Sequence, residues 1–107
     1  MTIVTFNKKQ FEKEIGVLNE ELKNKISMFG TPVEKDEKDD ISIEVFPNRP
    51  DLLSYHGFKR SFLAFLEKKT GLVNYKVNEP EENYEVIVDS SVKDIRPYTA
   101  CAIVRGL

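Results

Sequence analysis

The sequence predicts an α+β fold: short helices and a β-hairpin pack around a helix that follows an Asn-Arg-Pro-Asp turn, and two strands of an incomplete second domain come after it. Three observations predict it. Apolar residues recur every three or four positions at Phe11, Ile15, Leu18, Leu22, Ile26 and Phe29, and again at Phe58, Phe62, Phe65 and Leu66, which is helical spacing. Ile41, Ile43 and Val45, and later Tyr84, Val86 and Val88, alternate with period two, as half-buried strands do. Glycines and prolines punctuate these runs.

In chain order, Thr2 to Phe6 is β-prone and carries Ile3, Val4 and Phe6; Asn7 then offers a helix N-cap, with Gln10 at the capping-box position. Gly16 breaks the helical run by supplying a left-handed C-terminal residue, and Asn19 caps a second helix whose first turn carries Glu20 and Glu21. Lys23, Lys25 and Gly30 close that helix. Val33 to Lys35 and Ile41 to Val45 form a hairpin across the charged turn Lys35 to Asp40. Pro47 to Pro50 interrupts regular structure, since proline donates no amide hydrogen bond and restricts the residue before it. Asp51 or Ser54 caps the next helix, which ends near Lys68, Lys69 and Gly71. The run Asn78 to Asn83, with Pro80 and three glutamates, reads as a connector, giving a first domain over 1–77 and an incomplete second over 78–107. The segment beyond it, with strands at Tyr84 to Val88 and Tyr98 to Val104, is too short to fold alone, because segments below about 40 residues need disulfides or metal.

A chain of 107 residues fits one small domain and part of another, which leaves no room for a large enclosed active site. Hydrophobic residues make up 40% and charged residues 32%, with no apolar run of about 18 residues and no signal-like start, so the expected protein is soluble and cytoplasmic. The net charge of −2 gives no general attraction to phosphate, so any contact with nucleic acid needs a local patch. The lone Cys101, flanked by Ala100, Ala102 and Ile103, reads as a thiol packed within a strand; one histidine, His56, cannot complete a metal site. No catalytic residue and no metal ligand set is expected.

The most informative stretch is Ile43-Glu44-Val45-Phe46-Pro47-Asn48-Arg49-Pro50-Asp51-Leu52-Leu53-Ser54, with Gly57 following Tyr55 and His56. It resembles the strand-turn-helix signature in the first domain of phenylalanine-tRNA ligase beta subunits. A second stretch, Val88-Asp89-Ser90-Ser91-Val92 with Ile95-Arg96-Pro97-Tyr98 and Ala102-Ile103-Val104-Arg105-Gly106, is similar to the start of that family's editing domain. Bacterial members insert a barrel where only Thr31 to Asp40 separates Gly30 from Ile41 here, so the resemblance is to the archaeal and eukaryotic type. The chain departs from the pattern at Phe58 and Lys59, where members commonly carry small residues, and at Tyr55-His56.

The resemblance implies the non-catalytic N-terminal part of an alpha-beta heterotetramer that attaches phenylalanine to tRNA(Phe). It further implies that ATP and magnesium bind the separate alpha subunit and that the present segment serves subunit assembly or tRNA positioning. In the signature, Asn48, Pro50, Asp51, Ser54 and Gly57 are expected to be structural: Asn48 folds back on the turn, Pro50 sets the helix start, Asp51 or Ser54 satisfies free amides, and Leu52 and Leu53 anchor the turn in the core. Arg49 bridges carbonyls or pairs with Asp51. Arg49, Lys59 and Arg60, with Lys68 and Lys69 beyond, are the candidates for contact with RNA or the partner subunit. The rival readings are a stand-alone winged-helix-like nucleic-acid-binding module and a protein-interaction module that augments a partner's sheet.

Overall fold

The computed structural model describes residues 2–106, which fall into two compact units divided between Val73 and Asn74. In the first unit, β1 (Thr2–Asn7), β2 (Val33–Asp36) and β3 (Asp40–Val45) form an antiparallel sheet in the order β1-β3-β2. The expected hairpin is the β2–β3 pair, with a register irregularity between Val33 and Lys35. Pairing β1 with β3 sets Val4 opposite Ile43 and Phe6 opposite Ile41, so period two turns Val4, Phe6, Ile41, Ile43 and Val45 to one face. On the other face the paired Thr5 and Ser42 hydroxyls hydrogen-bond at 2.9 Å.

The helical run is broken as the sequence predicts. Asn7 Oδ1 accepts from the Gln10 amide at the start of α1 (Lys8–Glu14), and Asn19 Oδ1 from the Leu22 amide at the start of α2 (Glu20–Met28), both at 2.9 Å. The Gln10 side chain does not return to the cap; it donates along the helix to Glu14. Between the helices Gly16 has φ of 150°, a value that side chains rarely adopt. At the end of α2, Gly30 takes φ of 93°, the Thr31 amide reaches the Ile26 carbonyl and the Gly30 amide reaches that of Ser27, so two carbonyls left free by the helix are satisfied. Asp36 ties the elements together by accepting from both Lys8 and Lys23; the Lys23 hydrogen bond is the main reason its carboxyl lies below the usual range, followed by that from Lys8.

α3 (Tyr55–Phe65) lays Phe58 and Phe62 into the core against Phe6, Phe11, Ile26, Ile41, Ile43 and Leu52. Phe58 is the hub: its ring lies 5.3 Å from Phe62, 5.4 Å from Phe6, 5.9 Å from Phe29 and 6.1 Å from Phe11. Burying one such side chain contributes about 1.5–3 kcal/mol, and each ring pair about 0.5–1.5 kcal/mol more. Leu52 is fully buried, but Leu53, expected beside it in the core, is 48% exposed because successive residues of a tight turn point in different directions.

α3 stops earlier than its lysines and Gly71 predict. The left-handed residue that ends it is Glu67, at φ of 58°, with the Glu67 amide on the Ala64 carbonyl and the Lys68 amide on that of Leu63. The same satisfaction of carbonyls as at Gly30 is achieved here with a residue that carries a Cβ.

In the second unit the two expected strands are corrected: residues 84–88 and 98–104 form no ladder, and the regular element there is a 3-10 turn at Ser90–Val92, where Asp89 accepts from the Ser91 amide at 2.8 Å. A strand needs a neighbour for its amides and a layer for its apolar face, and Val86, Ile87, Val88, Ile103 and Val104 are all exposed. Cys101 is likewise exposed, contrary to the packed thiol expected from its neighbours, because no layer covers that segment. Arg105 pairs with Glu81 and with the Tyr84 hydroxyl.

The left-handed Glu67 generates a test. Relief of its Cβ strain, about 1–2 kcal/mol, outweighs the extra unfolded-state freedom of glycine, about 0.5–1 kcal/mol. Glu67→Gly is expected to stabilise the chain by roughly 0.5–1 kcal/mol in urea denaturation; a lowered midpoint would contradict this helix end.

Candidate functional site

Between β3 and α3 the chain reverses within a dozen residues, and most residues of the signature have a traceable part in that reversal. The Arg49 amide donates to the Phe46 carbonyl at 3.0 Å, closing a turn with Pro47 and Asn48 at its centre, where proline's fixed φ suits the second position. The side chain of Asn48 makes no hydrogen bond among the described residues, so its place in the turn is set by backbone. A 3-10 helix, Pro50–Leu53, follows, with proline at the start where no amide is needed; the Leu52 amide reaches the Arg49 carbonyl at 3.1 Å. Of the two candidate caps for α3 it is Ser54 that acts: its Oγ accepts from the Gly57 amide at 3.1 Å and its carbonyl from the Phe58 amide at 2.9 Å.

Gly57 is required by space. A Cβ built there would collide with the backbone oxygen of Asp51 and lie 3.1 Å from both the Asp51 carbonyl carbon and Ser54 Oγ. The first turn of α3 therefore rests directly on the 3-10 helix, which brings Phe58 and Leu52 into the same core.

Arg49 pairs with Asp51, as expected for one of its two options. Its Nε donates to Oδ1 at 2.9 Å and its Nη2 to Oδ2 at 2.8 Å, a two-pronged pair, while its guanidinium carbon sits 5.3 Å from the centre of the Phe29 ring. Asp51 also accepts from Ser61 Oγ at 3.4 Å. The Arg49 hydrogen bond is the main cause holding the Asp51 carboxyl below its ordinary range. Both partners are more than a third exposed, so the pair is worth at most about 1 kcal/mol and acts mainly by fixing geometry.

Lys59 is also engaged. Its Nζ donates to Glu14 Oε2 at 2.7 Å and stands 5.7 Å from the centre of the Tyr55 ring; the Tyr55 hydroxyl donates to the same Glu14 oxygen at 3.0 Å and reaches the Gln10 carbonyl at 3.4 Å. Glu14 is held below its ordinary range by Lys59 first and Tyr55 next, and Tyr55 is raised by burial and then by Glu14. This clasp joins α1 to α3. Of the four positions that depart from the signature pattern, Tyr55, Phe58 and Lys59 touch α1 or the core ring cluster, while His56 is exposed beside the Tyr55 ring. Lys68 donates to the Ile15 carbonyl at 2.8 Å.

The structure does not assemble Arg49, Lys59 and Arg60 into one bare cationic patch. Arg49 is neutralised on the turn and Lys59 against Glu14, whereas Arg60 is exposed and, among the described residues, in no ion pair. Sequence reading missed Phe29 as the ring beneath Arg49, and Glu14 as the partner of Tyr55 and Lys59. The Tyr55–Lys59 spacing of four, opposite the Gln10–Glu14 spacing of four, is the signal for the second. A surface hollow of about 220 Å³ lies beside Gly16, Val17, Leu22, Lys25 and Lys68, where Lys25 pairs with Glu21 and Lys68 donates to the Ile15 carbonyl. Among the described residues no group of three His, Cys, Asp or Glu side chains is placed to hold a metal, and no helix is long and apolar enough to cross a membrane.

Compared with known proteins, the whole chain is similar to phenylalanine-tRNA ligase beta subunits of archaea. It is 36% identical over 107 residues to that of Methanosarcina barkeri, 38% over 108 residues to that of Methanothrix thermoacetophila, and 32% over 107 residues to that of Archaeoglobus fulgidus. The chain spans about a fifth of the length of these relatives, 19 to 20%. No family model matches the chain, and no solved structure matches it.

The close seat of Gly57 on Asp51 predicts that Gly57→Ala forces backbone apart, costing toward the upper end of the roughly 1–3 kcal/mol typical of overpacking. Urea denaturation measures it; an unchanged midpoint would show that the two turns do not touch.

Proposed function

The chain belongs to the phenylalanine-tRNA ligase beta subunits, matching an N-terminal segment of the archaeal type, and from that premise we propose that it is a non-catalytic module of the enzyme that attaches phenylalanine to tRNA(Phe). Its partners on this reading are the catalytic alpha subunit and tRNA(Phe), and its part is to position the tRNA or to support subunit assembly in the cytoplasmic enzyme. The observation that carries the proposal is similarity along the full length of the chain, signature turn included, to subunits that bear this name.

What the residues do supports a scaffold. The carboxylates a metal would ask for are committed elsewhere: Asp51 to Arg49, Glu14 to Lys59 and Tyr55, Asp36 to Lys8 and Lys23. The family resemblance assigns ATP and magnesium to the alpha subunit, and no step is derived through them here. Residues 78–107 are proposed as the beginning of the editing domain.

The winged-helix-like alternative rests on the helix pair followed by a hairpin. In such a module the hairpin reaches toward phosphates, yet residues 34–40 carry Glu34, Asp36, Glu37, Asp39 and Asp40 against Lys35 and Lys38. That sign repels a polyanion.

The test is a chimera in which this chain replaces the matching N-terminal segment of an archaeal beta subunit. It is expected to copurify with the alpha subunit and to phenylalanylate tRNA(Phe), while the isolated chain gives no pyrophosphate exchange with ATP and phenylalanine. A chimera that no longer binds the alpha subunit, or exchange by the chain alone, would overturn the proposal.

A further inference from the structure

We infer that the seam between α1 and α3 is a docking surface for an RNA phosphate backbone, formed by Lys9, Lys13, Lys59 and Arg60; the inference rests on the tRNA-positioning reading above and assigns it a place on the molecule. The seam is defined by side chains that meet across it: Gln10 and Glu14 on α1 face Tyr55 and Lys59 on α3. Helical spacing does the rest. Lys9 and Lys13 lie four apart on α1, each one residue before a seam residue and turned away from the buried Phe11 and Ile15. Arg60 directly follows Lys59 on α3 and is turned away from the buried Phe58 and Phe62.

Lys9, Lys13 and Arg60 are exposed, and among the described residues none of them is in an ion pair. Lys59 is paired with Glu14 on the seam itself, and beside it Lys9, Lys13 and Arg60 add three cations that are in no ion pair among the described residues. The hairpin, with five carboxylates to two lysines, carries the opposite charge. An unneutralised cationic strip on a chain whose net charge is −2 is complementary to a phosphate backbone; three free cations held on two clasped helices keep a fixed spacing that a mobile tail does not.

The chain of 107 residues, labelled for fluorescence anisotropy, is titrated with bulk transfer RNA across a range of salt. The variant Lys9→Ala/Lys13→Ala/Arg60→Ala is expected to weaken binding at low salt by about tenfold or more, and to lower the slope of log affinity against log salt by about three, about one for each phosphate that the variant leaves unneutralised. Lys25→Ala/Lys35→Ala/Lys38→Ala, with the same change of net charge on α2 and the hairpin, is expected to stay within about twofold, so that the effect tracks place and not total charge. If both triple variants lose affinity equally, the seam assignment fails while the tRNA-positioning reading stands. If the unaltered chain binds no transfer RNA at low salt, both fail. Displacement by polyglutamate as effective as by transfer RNA would assign the seam to an acidic protein partner and overturn the inference.

Discussion

The close approach of the first turn of α3 to the carbonyl of Asp51 is the constraint on which the first unit depends. Because Gly57 has no Cβ, the helix can rest on the 3-10 turn, and with the helix in that position Phe58 meets the rings of Phe6, Phe11, Phe29 and Phe62 while Leu52 is enclosed beside them. The signature is therefore a device for reversing the chain at the edge of a sheet and sending a helix back across the core. Its prolines, its serine cap and its arginine–aspartate pair all serve that reversal.

Charge in this unit is divided into two kinds. Asp36 joins β2 to α1 and α2 through Lys8 and Lys23, Glu14 joins α1 to α3 through Lys59, and Asp51 holds the turn to itself through Arg49. Such pairs, partly exposed, contribute far less than the buried rings, so they select geometry more than they stabilise it. The cations left over, Lys9, Lys13 and Arg60, have no such structural duty.

Much of the first unit could be read from the sequence because its signals are local. The break at Gly16, the caps at Asn7, Asn19 and Ser54, the hairpin and the Arg49–Asp51 pair each depend on residues a few positions apart. What could not be read depends on distance. The β1–β3 pairing joins residues some forty positions apart, and the need for glycine at 57 appears only once Asp51 lies beneath it. Glu67 ends α3 although Gly71 is the better local candidate, because the last buried turn, at Phe62, and not propensity, sets where the helix stops being useful. Alternation at 84–88 and the apolar run at 98–104 express a preference for strand, but a preference without a partner strand forms no ladder. The candidate site was half legible: Arg49, Lys59 and Arg60 are cations near one another in sequence, while their commitments to Asp51 and Glu14 separate them in kind. The departures at Tyr55, Phe58 and Lys59 make sense as a set, since Tyr55 and Lys59 share Glu14 and Phe58 fills the core beneath them.

Native-state amide hydrogen exchange on the 107-residue chain tests most directly whether the signature is the keystone of the fold. The amides of Arg49, Leu52 and Phe58, bonded to Phe46, Arg49 and Ser54, are expected to exchange only through the same global opening as the amides of β3. Exchange at these three positions as fast as that of residues 74–107 would mean that the turn opens independently of the core, and would contradict the account.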